Sequence, residues 1–308
     1  MDSETHTVRW RASRFLDDHY LLVLLGPALL VLLVLFVYPV GWVLYRSLWL
    51  PPIYPGQGYQ FGPSANYGRM VTSPYFRRSV VRTLLYAGGS LSLSMAGGLI
   101  VALALDRVTS GRLRRAYTTV LLLGLAAPVS VLALMWRWIL HPSQAGLANR
   151  LLLDLSVIGT PIPFLESEAL ALPVVTLIDA WVRMPFALLV FLAGLQSIPE
   201  RLHEAAEVDG ATAIQAFRHV TLPYLRSYAA VVALLTLVFS LQAFTVVWTA
   251  TGGGPNGRTR TLAPYIYEVG IMQFNFGYGA AISAALVAVA TVLTFLYVRS
   301  VERTEGRR

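Results

Sequence analysis

The chain has 308 residues, no Cys, 24 basic residues that are all Arg, 56% hydrophobic and 13% charged residues, and a formal net charge of +8. Soluble domains carry roughly a quarter charged residues, so most of this surface is solvated by lipid. Without Cys there are no disulfides, thiolate metal sites or cysteine nucleophiles; without Lys the chain is neither a P-loop ATPase nor a Schiff-base protein. The Arg residues sit at the ends of apolar runs, which ties the positive charge to membrane orientation rather than to nucleic acid.

Residues 1–19 are polar and carry Arg9, Arg11 and Arg14. The apolar run 20–49 is longer than a signal-peptide core of about 7–15 residues and ends in Trp42, Tyr45 and Trp49, so it is expected to be a retained span with an aromatic belt. Residues 50–80 are rich in Pro, Gly, Tyr and Asn and read as an exposed loop. Further spans are expected at 82–105, 116–140, 169–195, 228–250 and 278–298, each close to the ~20 apolar residues a crossing helix needs. In the second, Gly88-Gly89 and Gly97-Gly98 let helices approach closely. Thr251-Gly252-Gly253-Gly254-Pro255-Asn256-Gly257 is a turn region.

The expected fold is therefore an all-α polytopic membrane protein of six transmembrane helices: a segment 1–19, a membrane domain 20–298 with its longest polar interruption at 196–226, and a tail 299–308. Six spans place both termini on one side. Fourteen loop arginines fall on that side and nine on the other, so the positive-inside rule makes the termini and the 196–226 loop cytoplasmic.

That loop carries structure of its own. Glu204 to Asp209 is strong helix former with carboxylates near its start; Gly210 breaks it; Ala211, Ile214 and Phe217 form an apolar stripe at helical spacing. Pro223 is expected to end the unit. The stripe lies on the membrane surface or against the protein's own helices, or else in a partner's groove.

Glu204-Ala205-Ala206, then Asp209-Gly210-Ala211, then Leu222-Pro223 resemble the conserved loop of permease subunits of binding-protein-dependent ABC importers. Ala193 to Glu200, Thr251 to Pro255, and Phe276-Gly277-Tyr278-Gly279-Ala280-Ala281 resemble its sugar-importing branch, and the likeness spans about residues 165–298. The resemblance implies a coupling helix docked in a cleft of a cytoplasmic ATPase. Glu204, Ala205, Ala206, Asp209 and Gly210 would shape the dock, Ile214 and Phe217 would fill the cleft, and Leu222 and Pro223 would link it to the fifth span. It also implies a second permease subunit, usually a different one, two ATPase subunits that bind ATP and Mg²⁺, a separate extracytoplasmic binding protein, and a carbohydrate substrate. No cofactor is expected in this chain.

Within the spans, Asp179 and Arg183 are four apart and share a helix face, with Asp179 ~14 Å along its helix, near the centre of a ~30 Å core. Either they neutralise each other and hold two helices in register, or they border the path with Trp181 stacking on a sugar ring. The family's aromatic, basic, Pro-Phe pattern at this place matches Trp181, Arg183, Pro185 and Phe186 and implies a general structural or gating role. Gln242 bonds either a substrate hydroxyl or a neighbouring helix. Thr245 departs from the polar or acidic residue the family often carries after the Phe matching Phe244. His6, His19, His141, His203 and His219 show no metal-ligand spacing, and no Ser sits in a nucleophile elbow, so catalysis is not expected in the chain. The rival readings are an ion-coupled secondary transporter, whose only mid-span carboxylate would be Asp179, and a membrane enzyme or scaffold.

Overall fold

A computed structural model describes residues 24–52 and 56–305. The segment 1–19, the start of the first expected span and the last three residues lie outside them.

Four described helices are long and apolar enough to cross a membrane alone: α1 (Leu24–Arg46), α3 (Pro74–Asp106), α7 (Ala171–Gln196) and α13, which crosses over Phe276–Arg299. Two bent pairs bring the count to six if each pair is one span. The first pair is α4 (Gly111–Ala126) and α5 (Val129–Ile139), the second α9 (Ala213–Tyr224) and α10 (Arg226–Leu241). α13 continues as helix to Glu305, past the expected end.

The third span is not one rod. It turns by 100° at Ala127-Pro128. A residue before Pro is pushed out of the helical region, and Ala127 is extended at φ −81°, ψ 136°.

The expected loop 50–80 is also partly ordered. α1 ends at Arg46 rather than at Trp49, which begins strand β1 (Trp49–Leu50). β1 pairs antiparallel with β2 (Gln60–Phe61), and α2 (Pro63–Thr72) follows. Asn66 on α2 donates through Nδ2 to the carbonyls of Ser47 (2.9 Å) and Trp49 (3.1 Å), holding the hairpin down. α3 then starts at Pro74, capped by the Ser73 hydroxyl. A further helix, α6 (Leu147–Asp154), lies in the loop after α5.

The α3–α7 pair is the centre of the domain. A Cβ on Gly98 would stand 2.6 Å from the Ala187 Cβ and 2.8 Å from the Leu188 nitrogen, and one on Gly89 2.8 Å from the Thr176 Cγ2. These glycines let two backbones touch, as close packing in lipid requires; Gly88 faces open space and plays no such part. One core cluster joins Ala102, Leu188, Phe191, Leu225 and Val232 at the loop end of the pair. A second joins Tyr86, Val175, Ile178, Val246 and Val247 toward the opposite end.

The fifth expected span ends early, at Leu241. Gln242 leaves the helix at φ −95°, ψ 6°, and the chain restarts as α11 (Thr245–Thr251). No Pro or Gly marks this break. It is held by tertiary packing, since the tilt of α11 buries Val246, Val247 and Ala250 against Tyr86 and Ile178. α12 (Leu262–Tyr267), running on as a π-helical turn Glu268–Met272, was not expected from the sequence.

Candidate functional site

Two places concentrate groups that the sequence singles out. The first is the loop between α7 and α10. α8 (Glu200–Val208) follows Pro199 and carries Glu200 in its first turn, where a carboxylate meets the positive end of the helix. Gly210 stands at φ +72°. Its N–H bonds the Glu207 carbonyl (3.0 Å), and the Ala211 N–H bonds the Ala206 carbonyl (2.9 Å). This pair of bonds satisfies the last carbonyls of α8 in a Schellman arrangement, which needs a left-handed residue at that place. Two residues later Thr212 starts α9. Its hydroxyl accepts from the Gln215 N–H, and Gln215 Oε1 accepts from the Thr212 N–H (2.7 Å), a complete capping box. The joint between α8 and α9 is thus fixed at both ends by hydrogen bonds.

On this stiff joint sit the two most exposed large apolar side chains among the described residues: Val208, 87% exposed, and Ile214, 79% exposed. Glu204, Ala205, Asp209 and Gly210 are exposed beside them, whereas Ala206, Ala211 and Phe217 are half-buried against the chain itself. Of the predicted stripe, then, Ile214 faces outward and Phe217 does not project fully. Val208 was missed; its place three residues after Ala205 on the same helical face is the signal that points to it.

Pro223 does not end the unit. α9 runs through Leu222 and Pro223 to Tyr224, because the chain widens into a π-helical turn over Phe217–Thr221 that accommodates a residue with no N–H. The stop comes at Leu225, where α10 departs at 64°. This elbow is tied to the end of α7: the Tyr224 hydroxyl donates to the Ser197 carbonyl (3.1 Å), the Ser197 and Tyr228 hydroxyls share a hydrogen bond at 2.9 Å, and a Cβ on Gly194 would strike Leu225 at 2.7 Å.

The second place is a polar seam inside the helices. Asp179 on α7 is fully buried. Its Oδ2 accepts from the Ser90 hydroxyl of α3 (2.6 Å), the Ser240 hydroxyl of α10 (3.0 Å) and Arg183 Nε (2.8 Å). Asp179 Oδ1 and the Tyr86 hydroxyl are buried without a partner at hydrogen-bonding geometry, and the two groups interact electrostatically. The Arg183 side chain is 17% exposed. Its Nη2 donates to the Phe239 carbonyl (3.2 Å), one of the carbonyls left open where α10 stops. One ion pair therefore joins three helices and closes the end of α10. A cavity of about 220 Å³ opens beside Arg183, bounded by Gly124, Ala127, Phe186, Thr236 and Phe239.

The other two predicted path residues lie apart from the pair. Trp181 packs edge-on to Trp136, centroids 5.5 Å apart at 80°, and is 36% exposed. Gln242 is exposed in the break, two residues beyond Ser240. Next to it sequence reasoning missed an aromatic group. Phe244 and Trp248 are stacked at 5.5 Å, and Tyr267 meets Phe244 at 5.1 Å and Trp248 at 4.8 Å. All three are half-buried. The unrecognised α12 supplies Tyr267, so spacing along the chain gave no hint of it.

At the end of the domain opposite the elbow, Glu168 accepts from Asn256 Nδ2 (2.6 Å) and Arg258 Nε (2.8 Å) and pairs with Arg258 Nη2 (2.7 Å). This clasp joins the segment before α7 to the Gly-rich turn, where Gly252, Gly253, Asn256 and Gly257 all take positive φ. The Asn256 hydrogen bond, and then Arg258, hold the Glu168 carboxyl below its usual range. A lowered folded pKa means the clasp is favoured above the ordinary carboxylate pKa and is lost as pH falls through the lowered value. It is expected to stay closed through the ordinary carboxylate range and to open only in acid below that range. Protease cutting within the turn, followed against pH, should rise only in that acid range. In Glu168→Gln the acid step should vanish.

Comparison with known proteins gives a consistent set of likenesses. The family model described as binding-protein-dependent transport system inner membrane component matches residues 94–306. The sulfoquinovosyl glycerol transport system permease protein SmoG of Agrobacterium fabrum is 33% identical over 301 residues, covering 96% of this chain and 95% of the relative. The trehalose/maltose transport system permease protein MalF of Thermococcus litoralis is 32% identical over 287 residues, 91% of this chain and 92% of the relative. Among solved structures, a bacterial ABC transporter involved in the import of the acidic polysaccharide alginate superimposes with a TM-score of 0.80 at 24% identity, over 95% of this chain and 99% of that one.

Proposed function

We propose a role in carbohydrate import for this chain, which belongs to the family of binding-protein-dependent transport system inner membrane components. It is a multi-pass membrane subunit, and ATP hydrolysis takes place in a separate subunit of such a system. A carbohydrate cargo is supported by the relatives, whose names give sulfoquinovosyl glycerol and trehalose/maltose as theirs.

The observation that carries the mechanism is the stiff, outward-facing tip at Val208 and Ile214. Apolar side chains on a charged, exposed joint are suited to a groove of another protein. In the reading proposed here, the groove belongs to a cytoplasmic ATPase, with Glu204, Ala205, Asp209 and Gly210 around the contact, Ala206, Phe217, Leu222 and Pro223 supporting it from behind, and both termini on the same side. The ATPases bind ATP and Mg²⁺, close, and draw the two elbows of a permease pair together. A second, different permease subunit completes the path. The pair then opens toward a loaded binding protein, and hydrolysis resets it. Within this chain the Asp179–Arg183 seam is the joint that keeps α3, α7 and α10 together while they move. Gln242 with Phe244, Trp248 and Tyr267 forms the surface that meets the sugar, since aromatic faces beside an amide suit a ring with both C–H and hydroxyl groups.

The test is reconstitution of the permease pair with its ATPases and binding protein in vesicles, with a photo-cross-linker in place of Ile214. Labelled sugar should accumulate only with ATP inside, and the cross-linker should capture the ATPase. Accumulation driven by an ion gradient without ATP, or capture of lipid alone, would overturn the reading.

A further inference from the structure

Between the end of α1 and the start of α13 lies a cleft with about 520 Å³ of accessible space, which neither the elbow nor the polar seam uses. One wall is Trp42, Val43 and Arg46 of α1; the other is Ile266, Ile271, Phe276 and Ala280. Its floor is the place where Gly270 of the π-helical turn meets Gly279 of α13: a Cβ on Gly279 would lie 2.7 Å from the Gly270 Cα. Its mouth carries Tyr59 from the chain leading into β2, and Arg46 lies over that ring at 3.9 Å from the centroid.

Three features of this cleft point to one kind of ligand. The walls are apolar, and the rim residues Trp42, Tyr59, Ile271 and Phe276 are exposed, as expected of a surface wetted by hydrocarbon. The mouth sits at the aromatic belt: Tyr38, Trp42, Tyr45 and Trp49 follow one another along the end of α1 with ring centroids 5.6–6.4 Å apart, and such rings mark head-group depth. At that depth stands one half-buried guanidinium. None of the ion pairs formed among the described residues includes Arg46. A cation held at the interface above an apolar cleft is complementary to an anionic head group whose chains fill the space below.

We propose that this cleft binds a phospholipid with an anionic head group, its phosphate on Arg46 and an acyl chain lying between α1 and α13. The Tyr59 ring leaves the guanidinium edges free for the phosphate while stacking on its face. The lipid thereby bridges the first span, whose described residues contain no buried side chain up to Arg46, to the last.

The test uses the detergent-purified complex, stripped of lipid and offered phosphatidylglycerol or phosphatidylcholine, with bound lipid read by native mass spectrometry. The wild type should retain phosphatidylglycerol over phosphatidylcholine. Arg46→Gln should lower phosphatidylglycerol retention by about tenfold, the effect of one charged hydrogen bond, and Arg46→Lys should retain most of it. Excess inorganic phosphate should not displace the lipid. Because the chain has no Cys, Val43→Cys reports the cleft's neighbour cleanly by cross-linking. Equal retention of the two lipids, an unchanged Arg46→Gln, displacement by phosphate alone, or a Val43→Cys cross-link to a second permease subunit would each overturn the proposal.

Discussion

Gly210→Pro should leave the protein in the membrane and abolish ATP-driven uptake. Gly210 stands at φ +72°, and a Pro ring fixes φ near −65°. The substitution also removes the N–H that bonds the Glu207 carbonyl. The Schellman arrangement is lost, α8 and α9 part at their joint, and Val208 and Ile214 no longer share one tip. No membrane-embedded contact is touched, because a Cβ on Gly210 meets nothing within 4 Å. Ile214→Asp separates docking from folding more cleanly. At 79% exposure the side chain has little packing to lose, so its stability cost should be small, while an apolar anchor in a groove is worth 2 kcal/mol or more, roughly a thirtyfold loss of affinity. The measurement is co-purification with the ATPase alongside transport. Glu204→Arg, which reverses a charge beside the tip, should act in the same direction. Normal uptake in Gly210→Pro would show that the elbow carries no motion.

Arg183→Ala should be the most destabilising single change in the membrane core. It leaves Asp179 buried and without its counter-charge, and removing one partner of a buried pair costs about 3–5 kcal/mol. It also frees the Phe239 carbonyl at the end of α10. The double substitution Asp179→Asn with Arg183→Gln should recover most of the loss, because two neutral amides can keep bonding Ser90, Ser240 and each other. Thermal unfolding of the detergent-solubilised protein, single against double, decides it. A double variant no more stable than the single would mean that Arg183 acts by shape or by contact with cargo rather than by neutralising Asp179.

Much of this architecture could be read from the residues because lipid imposes a simple code. Long apolar runs gave α7 nearly to both ends and the apolar middles of α1, α3 and α13, whereas α3 begins well before its expected span and α13 continues to Glu305. The joint at Gly210 was legible for a different reason: glycine is the residue that adopts the left-handed conformation after a helix at least cost, so one letter carries the geometry. The breaks were harder. Ala127-Pro128 carried a signal, since Pro displaces its predecessor from the helix, but it lay inside an apolar run and was absorbed into a straight span. Gln242-Ala243-Phe244 carried none. That break exists because Val246 and Val247 bury themselves against Tyr86 of α3 and Val175 and Ile178 of α7, and a contact with residues so far away along the chain cannot be read from local spacing. Pro223 misled in the opposite sense: a π-helical turn upstream let the helix pass through it. The aromatic group at Phe244, Trp248 and Tyr267 was hidden for both reasons together, being assembled from an unmarked break and an unrecognised helix.

α10 is bounded by a 64° corner at Leu225 and by the interruption at Gln242. Its 16 residues make a strut ~24 Å long with a pivot at each end. A strut of that kind passes on thrust along its length but little twist. A push delivered beneath the bilayer would therefore reach the aromatic trio as a translation of its supporting backbone, with the ring orientations set locally by α11 and α12. Cargo preference and stroke would then be separately adjustable in such a machine, one by residues beyond the upper pivot and the other by residues below the lower.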